Sequence, residues 1–496
     1  MVADGTRAGA ARGERVVVRG GHVFDIDLPF ERADILIEDG EIARVSPSLD
    51  AAGARVIDAS GTIVMPGLIN AHTHSNQSIE KGLCDALPLD SWMVVASYGG
   101  AGATLEPKDL YVSTMVGALE MIATGTTSVL DVPRADQRWF DAGMDQIMTA
   151  YRDVGMRANV AAQYSDLEFL DSLPMSLIGD DRERPRTGAV KEIIGRLEPF
   201  LDRWTGAHPR LRPMLGPSSL PRCSIELFEA SLDLARRKSA GLHTHLLSAK
   251  SQVPLARKRY GGSTVAFLER IGGLQPWTSF AHAIWLDDAE VRRLGELGAA
   301  VVHNPVSNLK LGAGIAPVPA MLRSGVSVGL GTDGASSNDS QNMFETLKTA
   351  AILQRPIVPQ GEWPTAMDAL RMCWDGGARA LGQKIGRVVV GYRADLVLLR
   401  AGELRLAPKE QIANQLVYAE LGRSVESVIV EGAVVMDRGR ITSVDAPALL
   451  ADAQRLIDGI WKSLPAREAR FSEIAPTLER LEREVRALSI GFTRGG

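Results

Sequence analysis

Five polar side chains come at the ends of short apolar runs in this sequence. His72 and His74 end VMPGLINAHTH, His245 follows GLHT, His282 lies in FAHAIWL, and Asp333 ends SVGLGTD. Imidazole and carboxylate groups are common ligands of zinc and other first-row divalent ions. Side-chain direction repeats every two residues in a strand, so His72 and His74 face the same way and can bind one ion. The pattern predicts metal-assisted hydrolysis.

Each of these residues also has a simpler interpretation. Two histidines two residues apart in a strand are often a polar surface pair, although the run before His74 is apolar up to its tip. Asp333 stands beside a glycine, where a turn or a helix N-cap is common. His243 repeats the spacing with His245, and we expect His245 to be the ligand. His243 is then a structural histidine or a group that supports the ligands.

We expect two of these residues to carry out the catalytic steps. His282 lies on the strand after His245, where it could shuttle a proton or polarise a substrate carbonyl. Asp333 could contact both the ion and a water molecule, orient that water and accept its proton. Asp333 and His282 are therefore the predicted catalytic residues.

Composition and charge narrow the class of substrate. The chain has 496 residues, 45% of them hydrophobic, and a formal net charge of −5. Its lysines and arginines are scattered, so we expect no nucleic-acid or membrane partner and favour a small-molecule or peptide-derived substrate. The three cysteines match no disulfide or metal-binding spacing, and no apolar run reaches the ~18 residues of a membrane span. We therefore expect a cytoplasmic protein.

The order of apolar runs predicts the architecture. Short β-branched runs between Val16 and Ile63, with a tight Asp39-Gly40 turn, predict antiparallel strands. Similar runs near residues 394–400 and 424–441 predict that both chain ends build one small β-sandwich. Between them, eight apolar runs alternate with helical stretches, which is typical of a (β/α)8 TIM barrel with its catalytic residues at the carboxyl ends of the strands.

Three segments follow from this pattern. We expect a composite β-sandwich from residues 1–63 and 388–445, a hydrolase barrel from 64–387, and a C-terminal helical extension from 446–496. Within the barrel, the polar segment from Asp166 to Arg186 is expected to be a loop that covers the site or sets specificity. Two helices are expected in the extension, with an apolar stripe that packs on its own chain. The stripe comprises Leu478, Leu481, Val485 and Leu488.

The chain resembles the amidohydrolase superfamily, in the cytosine deaminase-like branch that includes guanine, S-adenosylhomocysteine and triazine hydrolases. The resemblance rests on VIDASGTIVMPGLINAHTH, HNPVSNLKLGAGIAPV, GTDGASSNDSQNMFE and GYRADLVLLR. It implies a distorted (β/α)8 barrel with a β-sandwich, and a homodimer or higher homo-oligomer. It also implies one divalent ion, usually Zn²⁺ and less often Fe²⁺. The implied metal ligands are His72, His74, His245 and Asp333, with His282 acting on water or substrate.

Two departures from this branch bear on the reaction. Relatives with two ions bridge them through a lysine on the fourth strand, but RLRPMLGPSS contains none, so one ion is expected. Deaminases of the branch carry a glutamate three residues after the strand-five ligand, where this chain has Ser248. A hydroxyl cannot store a proton as a carboxylate does. We therefore favour hydrolysis of a linear amide, amidine, carbamate or urea.

Alternatives to this reaction remain open. A nucleobase-like or triazine-like ring could be deaminated, a halide or thiolate could leave instead of nitrogen, or the chain could be an inactive metal-binding homologue. Loop residues near the strand ends are plausible substrate contacts, although hydrogen bonding within the loops explains each of them equally well. They are Gln77, Trp92, Ser218, Ser248, His303 and Asn304.

Overall fold

Two β-sheets organise the chain. The computed structural model describes residues 14–98, 105–134 and 137–494. The expected β-sandwich and the loop after the first barrel strand include residues 1–13 and 99–104, which lie outside the described residues. One sheet has eight strands and the other has nine. Over its described part, the chain forms no helix that is long and apolar enough to cross a membrane.

The described chain begins with five strands. They are β1 (Arg15–Val23), β2 (Glu31–Glu38), β3 (Glu41–Ser46), β4 (Arg55–Asp58) and β5 (Thr62–Pro66). Asp39 and Gly40 join β2 to β3 with positive φ angles of 49° and 76°. A two-residue hairpin turn requires this backbone at both positions, which explains the Asp-Gly pair.

Eight parallel strands form the barrel, and each one predicted from the sequence is present. They are β6 (Leu68–Thr73), β7 (Thr126–Asp131), β8 (Arg157–Tyr164), β9 (Leu211–Pro217), β10 (Gly241–Leu246), β11 (Thr278–His282), β12 (Ala300–His303) and β13 (Ser327–Leu330). Each strand pairs with the next one along the chain. At the seam, the Asp333 N–H donates to the His72 carbonyl at 2.9 Å, so the last strand's extension meets the first strand at the carboxyl end.

Helices follow the barrel strands. They are α1 (Leu89–Trp92), α2 (Pro107–Ala123), α3 (Phe140–Val154), α4 (Val190–Trp204), α5 (Ile225–Lys238), α6 (Gln252–Tyr260), α7 (Thr264–Arg270), α8 (Asp288–Glu296), α9 (Pro305–Lys310), α10 (Val318–Arg323), α11 (Ala335–Asn338), α12 (Met343–Leu353), α13 (Ala366–Arg371), α14 (Gly377–Leu381), α15 (Ile412–Tyr418) and α16 (Ala446–Ala487). The long amphipathic ones bury one face on the sheet, as α3 does with Met144, Ile147 and Met148. The alternation of strands and helices confirms the (β/α)8 barrel.

The nine-stranded sheet joins the two ends of the chain. Its later strands are β14 (Leu396–Arg400), β15 (Val425–Val430), β16 (Ala433–Asp437) and β17 (Arg440–Ile441). β14 pairs with β5, so residues from both ends share one sheet, as predicted. The prediction of antiparallel pairing throughout was wrong, because β4 and β5 both pair parallel to β1. The β2–β3 hairpin occupies the other edge of β1, and residues 47–54 return the chain to the end where β1 begins.

A buried ion network connects this sheet to the barrel. Arg157 of β8 donates through Nε and Nη2 to the two carboxylate oxygens of Asp395, at 2.7 and 3.1 Å. Arg210 donates to Glu431 at 3.2 Å, and the Glu431 N–H donates to Asp395. Such two-pronged pairing compensates for the loss of water around the buried charges. The network fixes the barrel at the end opposite the predicted site.

The C-terminal extension forms one helix instead of the two that the sequence predicted. α16 has 42 residues and continues through Pro465 and Pro476. Internal prolines each remove a backbone hydrogen bond, but burial of side chains along the helix outweighs that loss. Near its end, α16 packs on the loop after β8. Leu478, Leu481 and Val485 pack there with Phe169, Leu173 and Met175.

Candidate metal centre and active site

The five predicted residues meet at the carboxyl end of the barrel. Asp333 Oδ1 lies 3.5 Å from His72 Nε2 and 3.3 Å from His74 Nε2. His245 Nε2 lies 3.4 Å from His74 Nε2, and His282 Nε2 lies 3.9 Å from Asp333 Oδ2. Two sets of three have all their ligand atoms within 4.8 Å of one another, and both sets include His72. One ion could therefore be shared among these side chains.

Outward hydrogen bonds orient each imidazole. In all four histidines Nδ1 contacts a group away from the centre, which leaves Nε2 directed inward. The partners are the Val132 carbonyl for His74 at 2.7 Å, the Ser218 carbonyl for His245 at 2.6 Å, His243 Nε2 for His72 at 2.9 Å and Asn308 Oδ1 for His282 at 2.8 Å. The carbonyl partners require a proton on Nδ1, so Nε2 keeps its lone pair.

His72 supplies the clearest test of whether a cation fits. Its Nε2 atom is buried and makes no hydrogen bond to any residue that the structure describes. Buried polar nitrogens are almost always paired, so an atom of this kind in a ring of imidazoles and a carboxylate indicates a missing partner. Three neutral imidazoles and one carboxylate are a ligand set that zinc accepts. The residues present therefore fit a single divalent ion.

Burial and mutual contact also favour the protonation states that bind metal. Burial lowers the pKa of His72 to about 4, although contact with Asp333 opposes this change. Burial and the neighbouring imidazoles lower the pKa of His245 well below its ordinary value. For Asp333, burial raises the pKa, but His72, His74 and His282 outweigh it and hold the pKa well below its ordinary range. Neutral imidazoles at His72 and His245 beside an ionised carboxylate follow from these shifts. At His74, burial lowers the pKa, but contact with Asp333 outweighs it and raises the pKa above its ordinary value.

Strained backbone holds two of the site residues. His282 and Asp333 have positive φ angles of 70° and 63°, a conformation that costs about 1–3 kcal/mol in a residue with a Cβ. Hydrogen bonds compensate at Asp333, whose carbonyl accepts from Thr73 Oγ1 and from Gln341 Nε2 at 3.0 Å each. Ser307 Oγ donates to Asp333 Oδ2 at 2.6 Å. The surrounding side chains therefore fix where the carboxylate points.

A cavity of about 100 Å³, partly open to solvent, adjoins the centre. Among its lining residues are His74, His245, His282 and Asp333 of the predicted centre and four of the predicted substrate contacts. Those four are Gln77, Trp92, Ser218 and Ser248. Ser248 is paired with Gln252, which donates to Ser248 Oγ at 3.1 Å and accepts from the Ser248 N–H at 3.0 Å.

Two predicted contacts lie outside the lining of this cavity. His303 is 1% exposed and Asn304 is fully buried, and neither lines the cavity. β12 ends at His303 and α9 begins at Pro305, so both residues lie at the short connection between these two elements. Asn304 Nδ2 instead lies 3.3 Å from His282 Nδ1. The structure favours a role for Asn304 in positioning His282 over direct contact with substrate.

Other lining residues were not predicted individually. Asp90, Arg222 and Gln252 contribute polar groups, and Met93, Phe169 and Leu173 contribute apolar surface. They come from four segments that are distant in sequence, after β6, β8, β9 and β10, and none belongs to a spacing that signals chemistry. His243 was assigned a supporting role, and the structure places it behind His72, where its Nδ1 lies 2.7 Å from Ser279 Oγ.

Comparison with known proteins agrees with this geometry. The sequence profile described as the amidohydrolase family matches residues 63–435, so the chain belongs to the amidohydrolase family. It is a hydrolase of the deaminase-like group, which acts on carbon–nitrogen bonds other than peptide bonds. This membership confirms the resemblance inferred from the motifs.

Curated relatives and solved structures cover nearly the whole chain. The 5'-deoxyadenosine deaminase of Methanosarcina barkeri is 35% identical over 447 residues, covering 89% of this chain and 97% of the relative. The 5-methylthioadenosine/S-adenosylhomocysteine deaminase of Desulforudis audaxviator is 35% identical over 451 residues, covering 89% and 98%.

Two solved structures carry zinc. An adenosine deaminase from Xanthomonas campestris with bound zinc superposes with a TM-score of 0.80 at 28% identity, covering 90% of this chain and 98% of the other. An atrazine chlorohydrolase from Arthrobacter aurescens complexed with zinc gives a TM-score of 0.80 at 27% identity, covering 89% and 100%.

Proposed function

We propose that this protein hydrolyses a carbon–nitrogen bond of a linear amide, amidine, carbamate or urea, with one divalent ion. Zn²⁺ is the first choice and Fe²⁺ the second, because imidazoles and a carboxylate suit both. The proposed ligands are His72, His74, His245 and Asp333. The observation that carries the choice of substrate class is the Ser248–Gln252 pair in the cavity wall, since neither side chain can supply a proton near neutral pH.

The proposed reaction assigns a step to each catalytic side chain. When bound, a divalent ion lowers the pKa of its water from about 15.7 toward ~7 and so supplies the nucleophile. Asp333 accepts the proton of the attacking water, and the hydrogen bond that Ser307 Oγ donates to its Oδ2 holds the carboxylate in place. His282, fixed by Asn308, stabilises the oxygen anion of the tetrahedral intermediate. Asp333 then protonates the departing nitrogen, and the C–N bond breaks.

Linear substrates suit this arrangement better than aromatic rings. The nitrogen of an amide or urea becomes basic once its carbon is tetrahedral, so it can collect the proton from Asp333 late in the reaction. A ring deaminase must also protonate a ring nitrogen at an early stage. Of the described residues that line the cavity, only Asp90 and Asp333 carry carboxyl groups, and Asp333 is assigned to the proton that passes from the water to the departing nitrogen.

Ring deamination is the second candidate, and one observation favours it. The relatives at 35% identity are deaminases of adenosine derivatives. Under this hypothesis, Asp90 would have to take the place of the missing glutamate, because it is the remaining carboxyl group among the described residues of the cavity wall.

Turnover by the zinc-loaded protein separates the two candidates. Ammonia release would be measured from 5'-deoxyadenosine, 5'-methylthioadenosine and S-adenosylhomocysteine, and amine or ammonia release from a panel of linear amides, amidines, carbamates and ureas. We expect turnover of the linear panel alone, abolished by chelation and restored by Zn²⁺. Deamination of any of the three nucleosides at a comparable kcat/KM would overturn the proposal.

A substitution at the key position gives an independent test. S248E introduces the carboxylate that ring deaminases carry, so we expect it to shift preference toward the nucleosides. S248A serves as the matched control, since it removes the hydroxyl without adding a charge. An S248E variant with the substrate preference of the wild type would contradict the role assigned to this position.

We further propose that the substrate is small or peptide-derived, and that the protein acts in the cytoplasm as a homodimer or higher homo-oligomer. The oligomeric state rests on the habit of the family. Sedimentation of the purified protein would test it.

A further inference from the structure

An adjoining cleft shares part of its wall with the metal cavity. It has a volume of about 290 Å³ and lies between α16 and the loops after β6, β10, β11 and β12. Leu89, Asp90 and Leu311 line both spaces. The metal cavity, at about 100 Å³, is smaller than the ~300–1,000 Å³ of a typical ligand pocket. A substrate longer than a small amide would therefore extend past these three residues.

Asp90 is half-buried at this boundary, and it has no cationic partner among the residues that the structure describes. The side chains that act on its charge are Ser251 and Glu482, and neither of them is basic. Burial raises the pKa of Asp90 to about 6, so most of these carboxyl groups are still ionised at pH 7. A carboxylate that is withdrawn from water without a counter-ion is costly, so its position in a ligand cavity indicates a cationic partner.

Ser251 provides a second, independent observation in the adjoining cleft. It lines the cleft and is only 2% exposed. Its Oγ atom makes no hydrogen bond to any residue in the described part of the chain, although it lies near enough to Asp90 to lower the pKa of that carboxyl group. Buried hydroxyl groups are nearly always hydrogen-bonded, so the Ser251 oxygen is available to accept from a ligand.

The other charged groups of the adjoining cleft contact one another. Glu482 accepts from Arg486 Nε at 3.0 Å, one turn further along α16. Lys250 Nζ donates to the Arg486 carbonyl at 3.0 Å. Much of the remaining wall is apolar and includes Trp285, an aromatic side chain whose ring face can attract a cation. Asp90 is therefore the carboxylate of the described wall that remains available to a positively charged ligand.

We propose that Asp90 and Ser251 bind an ammonium group of the substrate, so that the enzyme acts on a linear amide or urea with a cationic aminoalkyl arm. An ammonium group carries three N–H donors, and a carboxylate and a hydroxyl oxygen can accept two of them. Hydrogen bonds between ionised partners are shorter and stronger than neutral ones, so they would orient the substrate as well as hold it. This assignment rests on the proposed C–N hydrolysis and narrows its substrate class.

Paired probes test the assignment on the zinc-loaded full-length protein. (2-Aminoethyl)urea, (3-aminopropyl)urea and (4-aminobutyl)urea would be compared with propylurea, butylurea and pentylurea, which replace each ammonium with a methyl group. We expect the best aminoalkylurea to exceed its alkyl partner by at least about tenfold in kcat/KM. D90N keeps the shape of the side chain and removes its charge, so it should bring this ratio to within about threefold of unity.

Four further variants separate charge from packing. D90E keeps the charge and should retain part of the preference, whereas a packing defect would affect both probe classes. S251A removes the second acceptor and should lose part of the preference. D233N removes an acid of α5 whose side chain is 60% exposed and should behave as the wild type. K250Q removes a positive charge from the wall of the adjoining cleft, so the ammonium group should bind more tightly.

Calorimetric binding of the same aminoalkylureas distinguishes failure of this assignment from failure of the proposed function. Aminoalkylureas that bind, and lose at least about tenfold in affinity in D90N, support the Asp90 site even if no urea is turned over, which would refute only the reaction. Equal turnover of aminoalkylureas and alkylureas would overturn the assignment and leave the reaction intact. A smaller loss of affinity in D90N would also overturn it, because the amine would then bind elsewhere, for example on the ion. Aminoalkylureas that do not bind to the wild type would overturn it as well.

Discussion

His243 offers a demanding test of how the metal centre is built. It is fully buried, and its Nε2 lies 2.9 Å from His72 Nδ1. For His72 to bind an ion through Nε2, its Nδ1 must carry the proton, so His243 Nε2 must accept it. His243 Nδ1 then carries its own proton and donates it to Ser279 Oγ at 2.7 Å. The chain of hydrogen bonds therefore has one direction that is compatible with metal binding.

H243A removes this acceptor and leaves the buried His72 Nδ1–H without its partner. An unsatisfied buried donor costs about 1–3 kcal/mol, so we expect zinc affinity to fall about 10–100-fold. Competition with a chromophoric chelator would measure the dissociation constant. H243Q should recover part of the affinity, because its side-chain carbonyl can accept the same hydrogen bond.

H22Q is the matched control, since His22 is an exposed histidine of β1 remote from the barrel mouth. S279A breaks the outer link of the chain and should cause a smaller loss than H243A. An H243A protein that binds zinc within about twofold of the wild type would refute the argument that the hydrogen bond to His243 sets the tautomer of His72.

Three further predictions follow from the same structure. H282Q should lower kcat by about 10²–10³-fold with zinc content unchanged, measured by turnover and metal analysis, because His282 acts on the substrate and is not a proposed ligand. G331A should weaken zinc binding in the chelator assay, because a Cβ at Gly331 would lie 2.8 Å from His72 Cβ and 2.5 Å from Asn304 Oδ1. Burial raises the pKa of Asp90 to about 6 from 3.8. Between these pH values the native state holds a proton on Asp90 that the unfolded state has lost, so stability falls as the pH rises through this range. D90N should therefore unfold at higher denaturant than the wild type at pH 7, by about 1–3 kcal/mol, and match it below about pH 4.

Charged side chains near Asp90 also affect its ionisation and so bear on this prediction. Glu482 of α16 adds to the rise in the pKa of Asp90, and Lys250 and Arg486 line the adjoining cleft. If D90N and the wild type differ equally at pH 4 and pH 7, the effect comes from packing and not from ionisation.

Local sequence was sufficient for the barrel and for the positions of the predicted ligands. Each barrel strand is a short apolar run whose burial drives it into the sheet, as in the fully buried TTSVLD of β7. Parallel strands connected by helices bring their carboxyl ends to one face, so polar residues at the ends of these runs had to meet. The spacing of His72 and His74 predicted a shared direction, and their Nε2 atoms both face Asp333.

Elements that depend on distant partners were predicted less well. The parallel pairing of β4 and β5 with β1 depends on which edge of β1 the hairpin leaves open. The single helix α16 continues through two prolines because its buried side chains pack along other parts of the chain. Local periodicity indicates neither which edge of a strand is left open for pairing nor which side chains pack along a helix.

The sequence by itself determined the (β/α)8 barrel, the family and the set of side chains offered to a metal, because these follow from apolar periodicity and from residue types at strand ends. Only the tertiary structure decided which groups surround the substrate. It placed Asp90 and Arg222 in the cavity wall, left His303 and Asn304 buried outside the cavity lining, and put His243 behind His72. The physical reason is that a cavity is lined by loops from separate strands, whose mutual distances are set by packing of the whole barrel.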